Sequence, residues 1–291
     1  MTRSVPRSVA VIVPVLNGVS TLGEQLEALS RQSYRGRWRV VVADNGSSDG
    51  TQDLVKAWCS RLPELILLDA SATPGSSHAR NAGASATEAE FLAFCDADDR
   101  ADEGWLAGLV EHADRFDLVT GRQEVHEINP DFVVSWRPPR ASGLPFGGRR
   151  FLPFAPSCNL GVWRDAFLSV GGFKPLYKQA HDVDFSWRAQ LAGYHLGLAP
   201  GAIMHYRYRS TLKSVAKQSF AMGHEATLLY RDFARLGLTR RSLLEALHVW
   251  VWLPVNMTAL AHRETRGLWV RRLGESAGRL LGSLEHRTFC L

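Results

Sequence analysis

Three aspartates directly follow an apolar segment in the first third of the chain. Residues 91–95 (Phe-Leu-Ala-Phe-Cys) predict a buried strand, and Asp96, Asp98 and Asp99 come at its end. Because ligands of open α/β folds bind at the carboxyl ends of strands, these carboxylates are expected at a binding edge. Clustered carboxylates repel one another, so their presence suggests a bound cation that offsets the repulsion or a function that requires them. Such oxygen ligands suit Mg²⁺ or Mn²⁺, and proteins often use these ions to bind a substrate diphosphate. The alternative is an acidic turn without a metal ion.

Apolar segments alternate with helical patterns around this acidic turn. Strands are expected at residues 9–13, 38–43, 65–68 and 90–95, with Pro14 stopping the first of them. Helices are expected at residues 21–32, 52–60, 76–86, 163–170, 182–192 and 212–237. This alternation predicts an α/β fold with a mostly parallel sheet and helices on both faces. Residues 122–154 lack clear periodicity and are interpreted largely as a loop over a site.

Length and composition are those of an ordinary globular protein. The 291 residues suffice for one large α/β domain with an appendage, and 45% of them are hydrophobic. The four cysteines are scattered, so neither a zinc site nor a disulfide framework is indicated, and the reducing cytoplasm is expected. The polar N-terminus leads directly into a short strand, which is not typical of a signal peptide. Residues 201–291 carry 14 Lys and Arg against 6 Asp and Glu, which predicts an anionic partner, either a membrane surface or nucleic acid.

Six short motifs follow one another along the chain. They are Val-Pro-Val-Leu-Asn at 13–17, a turn rich in capping residues at 44–51, Ala-Arg-Asn-x-Gly at 79–83, Asp-Ala-Asp-Asp at 96–99, Gly-Gly-Phe at 171–173 and His-Asp-Val-Asp-Phe-Ser-Trp-Arg at 181–188. In this order they resemble the family-two glycosyltransferases of the GT-A fold, over about residues 8–210. The resemblance implies an α/β nucleotide-diphospho-sugar transferase domain at 1–210, with a Rossmann-like, mostly parallel sheet, and a helical, basic C-terminal extension at 211–291. Within that domain, about 8–121 would bind the nucleotide sugar and about 122–210 would serve the acceptor and catalysis.

The first three motifs supply candidate donor-binding residues. Pro14, Val15 and Asn17 follow the first strand, so their backbone could line a nucleobase, although a simple strand-ending turn is the alternative. Asp44 ends the second strand and could accept a hydrogen bond from the base, or only cap the turn. Arg80 begins a helical stretch and can reach a phosphate as a charged donor, or form a surface salt bridge.

The acidic motif and a later histidine supply the candidate metal ligands. Asp96 and Asp98 are two residues apart, which puts both on one side of an extended segment. By resemblance, Asp98 binds Mn²⁺ or Mg²⁺, and Asp96 faces the ribose or a metal-bound water. Asp99 holds the loop or caps the next turn. By resemblance also, His205 completes the metal shell, and imidazole suits Mn²⁺, although a lone histidine is more often structural.

The last motif supplies the candidate base. A carboxylate at the start of a helix beside a pocket can take a proton from an acceptor hydroxyl, and Asp182 is the candidate. The family often has an acidic residue just before this aspartate, whereas this chain has His181, which leaves Asp184 as the alternative base. Both aspartates could instead only cap the helix. The implied reaction is a single in-line displacement with inversion at the anomeric carbon.

The resemblance implies an inverting, metal-dependent transferase that moves a sugar from a nucleotide-diphospho-sugar to an acceptor hydroxyl. UDP is favoured by resemblance, and cell-envelope polysaccharide or glycolipid synthesis is the expected setting. The Gln-x-x-Arg-Trp motif of processive synthases is missing at residues 218–222, so a non-processive enzyme is expected. A non-catalytic nucleotide-sugar or glycan-binding module on the same fold is the alternative. Nucleic acid is not expected as a partner, because no nucleic-acid motif or basic stacking array is visible.

The C-terminal part combines apolar and basic residues. Residues 246–261 are strongly apolar but short for a spanning helix, and Pro254 interrupts them. Residues 268–284 repeat apolar side chains at helical spacing, with arginines beside them. Tryptophans near basic residues suit a membrane interface. A peripheral contact of residues 243–284 with the inner face of the cell membrane is therefore expected. Such a contact would suit a glycan or lipid-linked acceptor. The alternative is packing on the catalytic domain or on a second subunit, and the oligomeric state is not predicted.

Overall fold

The computed structural model describes residues 3–62, 64–137 and 150–290. Its strands are β1 (Ser8–Val15), β2 (Arg37–Asp44), β3 (Leu65–Asp69), β4 (Phe91–Phe94), β5 (Arg100–Ala101), β6 (Leu118–Glu124), β7 (Leu160–Trp163) and β8 (Leu196–His205). Its α-helices are α1 (Leu22–Ser30), α2 (Thr51–Trp58), α3 (Ser76–Ser85), α4 (Trp105–Glu111), α5 (Asp131–Trp136), α6 (Arg164–Ser169), α7 (His181–Leu191), α8 (Leu212–Phe233), α9 (Leu243–Val255) and α10 (Arg266–Glu285). The first four strands and first three helices lie where the sequence predicts them, within one or two residues.

One eight-stranded sheet organises the domain, in the order β3-β2-β1-β4-β7-β6-β8-β5. The first four strands of that order are parallel, as expected from the βα alternation. Beyond β4 the sheet is mixed, because β7 is antiparallel to both β4 and β6, and β5 is antiparallel to β8. Strands β6 and β8 are parallel, so four of the seven strand pairings are parallel and the expectation of a mostly parallel sheet holds, most completely in the N-terminal half.

Pro14 does not stop β1, in contrast to the sequence-based expectation. The strand continues to Val15, with Pro14 opposite Ala43 of β2. The carbonyl of Ile12 accepts from Cys95 on the β4 side, so Pro14, two residues on, also directs its backbone to that side. The β4 ladder ends at Ile12 and Phe94, so the N–H that proline lacks would have no strand partner there.

The region 122–154 contains regular structure that its sequence does not reveal. Residues 122–124 complete β6, and Asp131–Trp136 forms α5, so the interpretation as a loop is wrong for these parts. Both elements are short, and hydrophobic periodicity is weak over so few residues. The stretch 138–149 lies outside the described residues.

The two long C-terminal helices pack closely against each other through small residues. A Cβ on Gly278 of α10 would lie 2.0 Å from the carbonyl oxygen of Phe220, and a Cβ on Gly223 of α8 would lie 2.1 Å from that of Glu275. Helix α9, by contrast, leaves most of its apolar side chains exposed, with Leu244 79% and Val255 74% accessible. The C-terminal region therefore combines an internally packed helix pair with one largely uncovered helix.

Gly278→Ala is expected to destabilise the protein. The added methyl would overlap the backbone of α8, and such overpacking costs about 1–3 kcal/mol. Thermal unfolding should show a lower melting temperature than the parent chain. Gly23→Ala is the matched control, because nothing lies within 4 Å of its Cβ position, and it should leave the melting temperature unchanged or slightly raised. Equal melting temperatures for Gly278→Ala and the parent would contradict the close helix contact.

Candidate active site

The acidic turn after β4 lies inside the protein rather than on its surface. Asp99 is fully buried, and its Oδ1 accepts from the backbone N–H of Arg207 at 2.8 Å. Its Oδ2 has no hydrogen-bond partner within the described part of the chain. Burial, together with the negative charges of Asp96 and Asp98, raises the pKa of Asp99 well above its usual value. The turn thus concentrates carboxylate groups that lack full compensation.

One arginine neutralises part of this charge, and a second one holds the backbone of the turn. The Arg209 guanidinium donates to Asp98 Oδ2 at 2.7 Å, and the Arg207 side chain donates to the Asp98 carbonyl at 2.8 Å. Burial and the charge of Asp96 nevertheless raise the pKa of Asp98. Neither arginine was identified from the sequence, where the only signal is the Tyr-Arg-Tyr-Arg pattern directly after β8.

Arg80 is buried and lies at the centre of a polar cluster. From α3 it donates to Asp96 through one terminal nitrogen, and through the other to His181 Nε2 at 3.3 Å. The Ser157 hydroxyl lies 3.0 Å from the same histidine nitrogen. Burial and the Arg80 charge lower the pKa of His181 to about 3. The imidazole is therefore neutral, and its Nε2 accepts a hydrogen bond from the Arg80 guanidinium. The unusual histidine before Asp182 thus helps to hold the arginine that contacts Asp96.

Asp182 and Asp184 have different environments although both begin α7. Asp182 Oδ2 accepts only a long hydrogen bond, 3.3 Å from Ser157 N, while Oδ1 contacts the adjoining Val183 N–H. Desolvation raises the pKa of Asp182 to about 6, and the Asp96 charge acts in the same direction. Asp184 is fully buried and accepts from Arg188 at 2.6 and 2.8 Å. Asp184 is therefore a buried ion-pair partner of Arg188. The raised pKa of Asp182 is what a general base requires, and its catalytic role stays a prediction.

His205 lies in a different group of side chains from Asp98. Its Nδ1 is 3.2 Å from Glu124 and 3.5 Å from Glu127. Among the described residues, ligand atoms close enough to share one ion occur in two groups in this region, Asp96 with Asp99 and Cys158, and His205 with the two glutamates. The structure thus does not bring His205 into one ligand set with Asp98, and its metal role stays a prediction. Cys158 was not identified from the sequence.

The predicted nucleobase residues meet at the ends of β1 and β2. Asn17 has a positive φ of 53°, and its side chain accepts from the Ser48 N–H at 2.9 Å. Pro14 and Val15 end β1 beside Asp44, which is buried and accepts from Ser47 N at 3.1 Å and Gln52 Nε2 at 2.7 Å. The Asp44 carboxylate therefore fixes the turn that follows β2, and a contact of these residues with a base stays a prediction.

Comparison with known families identifies the chain. The model of the family described as glycosyl transferase family 2 matches residues 10–171, which is more than half of the chain. The chain belongs to glycosyl transferase family 2. This match covers the sheet edge with the acidic turn and Arg80, and it ends before Asp182.

Several characterised relatives support the same assignment. A pre-mycofactocin glycosyltransferase of Mycobacterium tuberculosis is 30% identical over 236 residues, which is 77% of this chain and 48% of the relative. The chain thus spans about half the length of that relative. Glycosyltransferase AglE of Haloferax volcanii is 28% identical over 322 residues, covering 96% of this family 2 chain and 97% of AglE.

Solved structures show the GT-A fold. The mannosyltransferase PcManGT from Pyrobaculum calidifontis, in complex with GDP-Man and Mn²⁺, superposes with a TM-score of 0.66 at 20% identity, covering 95% of this chain and 88% of that one. Staphylococcus aureus TarS 1–349 in complex with UDP has a TM-score of 0.54 at 17% identity, covering 96% and 91%. The predicted fold class is therefore confirmed, including the C-terminal helices.

Proposed function

We propose that this family 2 chain transfers a sugar from a nucleotide-diphospho-sugar to an acceptor hydroxyl, with inversion and one transfer per encounter. The observation that carries the proposal is the position of Asp182. Its carboxylate accepts from two backbone N–H groups, has a raised pKa and lies within electrostatic range of the Arg80–Asp96 pair. A base next to a charged phosphate-binding group is the arrangement that glycosyl transfer from a diphosphate requires. A non-catalytic binding module would have no use for a carboxylate with this pKa.

In the proposed mechanism three side chains have separate tasks. Asp182 accepts the proton of the acceptor hydroxyl as its oxygen attacks the anomeric carbon from the face opposite the leaving group. Arg80 donates to the departing nucleoside diphosphate and stabilises its negative charge, and His181 holds the guanidinium in place. The new glycosidic bond forms as the bond to the diphosphate breaks, which gives inversion.

The acidic turn fits a divalent cation in its donor chemistry. Asp99 Oδ2 is buried without a hydrogen-bond partner among the described residues, and ligand atoms of Asp96, Asp99 and Cys158 lie within 4.8 Å of one another. Asp98 belongs to the same turn, but its Oδ2 accepts from Arg209. Oxygen donors of this type suit Mn²⁺ or Mg²⁺, and Asp96 and Asp98 would hold the ion. When bound, such an ion would neutralise charge on the leaving diphosphate.

The donor and acceptor are proposed from relatives and from the resemblance. PcManGT was solved with GDP-Man, and TarS with UDP and with UDP-GlcNAc, so a nucleotide-diphospho-sugar donor is supported, with UDP favoured by resemblance. A further relative, 25% identical over 229 residues, is the succinoglycan biosynthesis protein ExoA of Rhizobium meliloti. These names favour a cell-envelope glycan or glycolipid as the acceptor.

The test is a donor screen at fixed Mn²⁺. Release of nucleoside diphosphate is measured for a panel of UDP-, GDP- and dTDP-sugars, with an extract of cell-envelope glycans and lipids as the acceptor source. Release from one donor is expected, and it should increase when the acceptor is added. Binding of a donor without release from any member of the panel would favour the binding-module alternative.

The rate of transfer is expected to rise with pH through about 6. The base must be deprotonated to accept a proton, and burial raises the pKa of Asp182 to about 6, so the active form increases from pH 5 to pH 7 and is nearly complete above. The measurement is kcat/KM between pH 5 and 8 in overlapping buffers, with melting temperatures as a control for unfolding. A profile that is flat over this range would contradict Asp182 as the base.

We also propose that α9 brings the enzyme to an anionic membrane surface. No helix among the described residues is long and apolar enough to cross a membrane. Most of the exposed side chains of α9 are apolar, although Glu245 and His248 are exposed as well. Arg240 and Arg241 precede the helix, and Arg272 of α10 stacks on its Trp252. An exposed apolar face beside basic residues is typical of helices that lie in a membrane interface.

Flotation with vesicles tests this contact. The chain is expected to float with vesicles containing about 30% anionic lipid, and less so as salt rises, because the basic residues are then screened. Leu244→Asp together with Leu247→Asp should abolish flotation. Leu176→Asp is the matched control, since Leu176 is 58% exposed away from α9, and it should float like the parent. If the parent chain fails to float, a second subunit that packs on the exposed apolar face of α9 would be favoured instead.

A further inference from the structure

A cleft opens between the C-terminal helices and the segment that follows β8. It is open to solvent, and its empty space of about 530 Å³ includes part of that solvent. Its walls come from α5 and its end, from residues 206–209, and from the facing sides of α8 and α10. The cleft thus lies where the helical extension meets the catalytic domain.

The charge of the cleft is positive. Arg137, Arg209 and Arg271 line it, and Glu275 is the one acidic residue among its described lining residues. The Glu275 carboxylate is already engaged, because it accepts from Arg241 at 2.6 Å. Arg137 pairs with no carboxylate in the described part of the chain, and its guanidinium lies 5.7 Å from the centre of the Tyr208 ring.

The rest of the lining is mainly apolar. Val133, Trp136 and Val215 are buried side chains that face this space, with Met222 beside them. Arg271 Nε donates to the Trp136 carbonyl at 3.3 Å, which places its guanidinium against this wall. The arrangement combines fixed cations with an apolar surface, so it suits a ligand that carries an anionic group next to an apolar part.

The cleft adjoins the acidic turn directly. Arg209 is in the lining and also contacts Asp98, so one side chain joins the two places. A ligand in the cleft would therefore lie beside the proposed donor site.

We propose that this cleft is the acceptor subsite and that it binds a phosphate ester, with Arg137 and Arg271 on the phosphate and the apolar wall along the adjoining part of the acceptor. Guanidinium groups are well suited to phosphate because they donate two hydrogen bonds in a planar fork. The inference rests on the proposed glycosyl transfer and narrows its acceptor to phosphorylated molecules. The phosphate could belong to a phospholipid whose headgroup carries the acceptor hydroxyl or to a sugar phosphate, and binding experiments distinguish a lipid from a sugar as the source.

The test is binding measured by titration calorimetry, without any transfer reaction. Geranyl phosphate and glucose 1-phosphate are the probes for the two sources, and geraniol and inorganic phosphate are the controls for the apolar part and the anion alone. At least one phosphate ester is expected to bind more tightly than both controls. Arg137→Gln and Arg271→Gln should each weaken it about tenfold or more, and Arg137→Lys less than Arg137→Gln.

Arg272→Gln is the matched control, because it removes one charge from the same helix at a side chain that stacks on Trp252 instead. It should change the affinity less than twofold. Binding of geranyl phosphate alone identifies a lipid phosphate, and binding of glucose 1-phosphate alone identifies a sugar phosphate. The proposal is overturned if neither ester binds, if the Arg137 and Arg271 variants bind like the parent, or if UDP or GDP displaces the ester. Because no turnover is measured, these outcomes are independent of the donor screen.

Discussion

Asp182→Asn is expected to reduce kcat about 10³-fold and to leave the affinity for the donor within about twofold of the parent value. The amide keeps the shape of the side chain, and its oxygen can still accept from the Ser157 or the Val183 N–H, but it cannot accept the proton of the acceptor hydroxyl. General base catalysis contributes about 10²–10⁴-fold. The measurement is kcat under saturating donor, together with donor affinity by calorimetry.

Asp184→Asn is the companion variant that separates the two candidate bases. Asp184 is fully buried and paired with Arg188, so its neutralisation should lower the melting temperature by several degrees. The folded fraction should keep most of its kcat. If Asp184→Asn instead abolishes turnover in a folded protein while Asp182→Asn remains active, the base is Asp184.

Asp98→Ala is expected to lower kcat/KM by about 10³-fold and to remove its dependence on Mn²⁺. A bound cation that neutralises a leaving diphosphate contributes several kcal/mol, and a factor of 10³ corresponds to about 4 kcal/mol. The measurement is the rate of nucleoside diphosphate release as Mn²⁺ is titrated. The variant also frees Arg209, so its melting temperature is measured alongside.

His205→Ala is the variant to compare with Asp98→Ala, because it tests whether the histidine also contributes to the Mn²⁺ dependence. His205 lies with Glu124 and Glu127 rather than with Asp98, so the Mn²⁺ concentration at half-maximal rate should stay near the parent value if that arrangement persists with substrate. A large increase would show that the histidine joins the cation. A Mn²⁺ dependence that is unchanged in Asp98→Ala would contradict the role of the acidic turn.

The N-terminal half of the fold could be predicted from the sequence because each of its strands is an uninterrupted apolar segment. Residues 9–13 are buried on both faces of a central strand, and such segments differ clearly from the helices between them. Strands β6 and β7 carry glycines that tertiary contacts require, since a Cβ on Gly121 would lie 1.8 Å from Ala202 O. Strand β8 contains Pro200 and Gly201 and shifts register against β6. Local pattern does not show strands whose pairing depends on distant residues.

In the candidate site, too, the residues of continuous motifs could be predicted from the sequence, and the residues contributed by distant segments could not. The acidic turn and Arg80 belong to motifs that are continuous in sequence, and the structure places them in contact. Arg209 reaches Asp98 across 111 residues, and Cys158 approaches Asp96 and Asp99 from the short 3-10 turn before β7. No local signal assigns partners over such distances. His205 was chosen by resemblance, and its side chain faces Glu124 because it pairs with that residue across β6 and β8.

The ion pair between Arg209 and Asp98 has a consequence for the order of events. Arg209 contacts Asp98 of the acidic turn and also lines the cleft. While its positive charge neutralises Asp98, that charge is less available to an anion in the cleft. A competing cation at Asp98 would release the guanidinium toward the cleft and make it more attractive to an anion. In the proposed arrangement Arg209 would couple the two substrate sites electrostatically, and we expect the donor to enter before the acceptor.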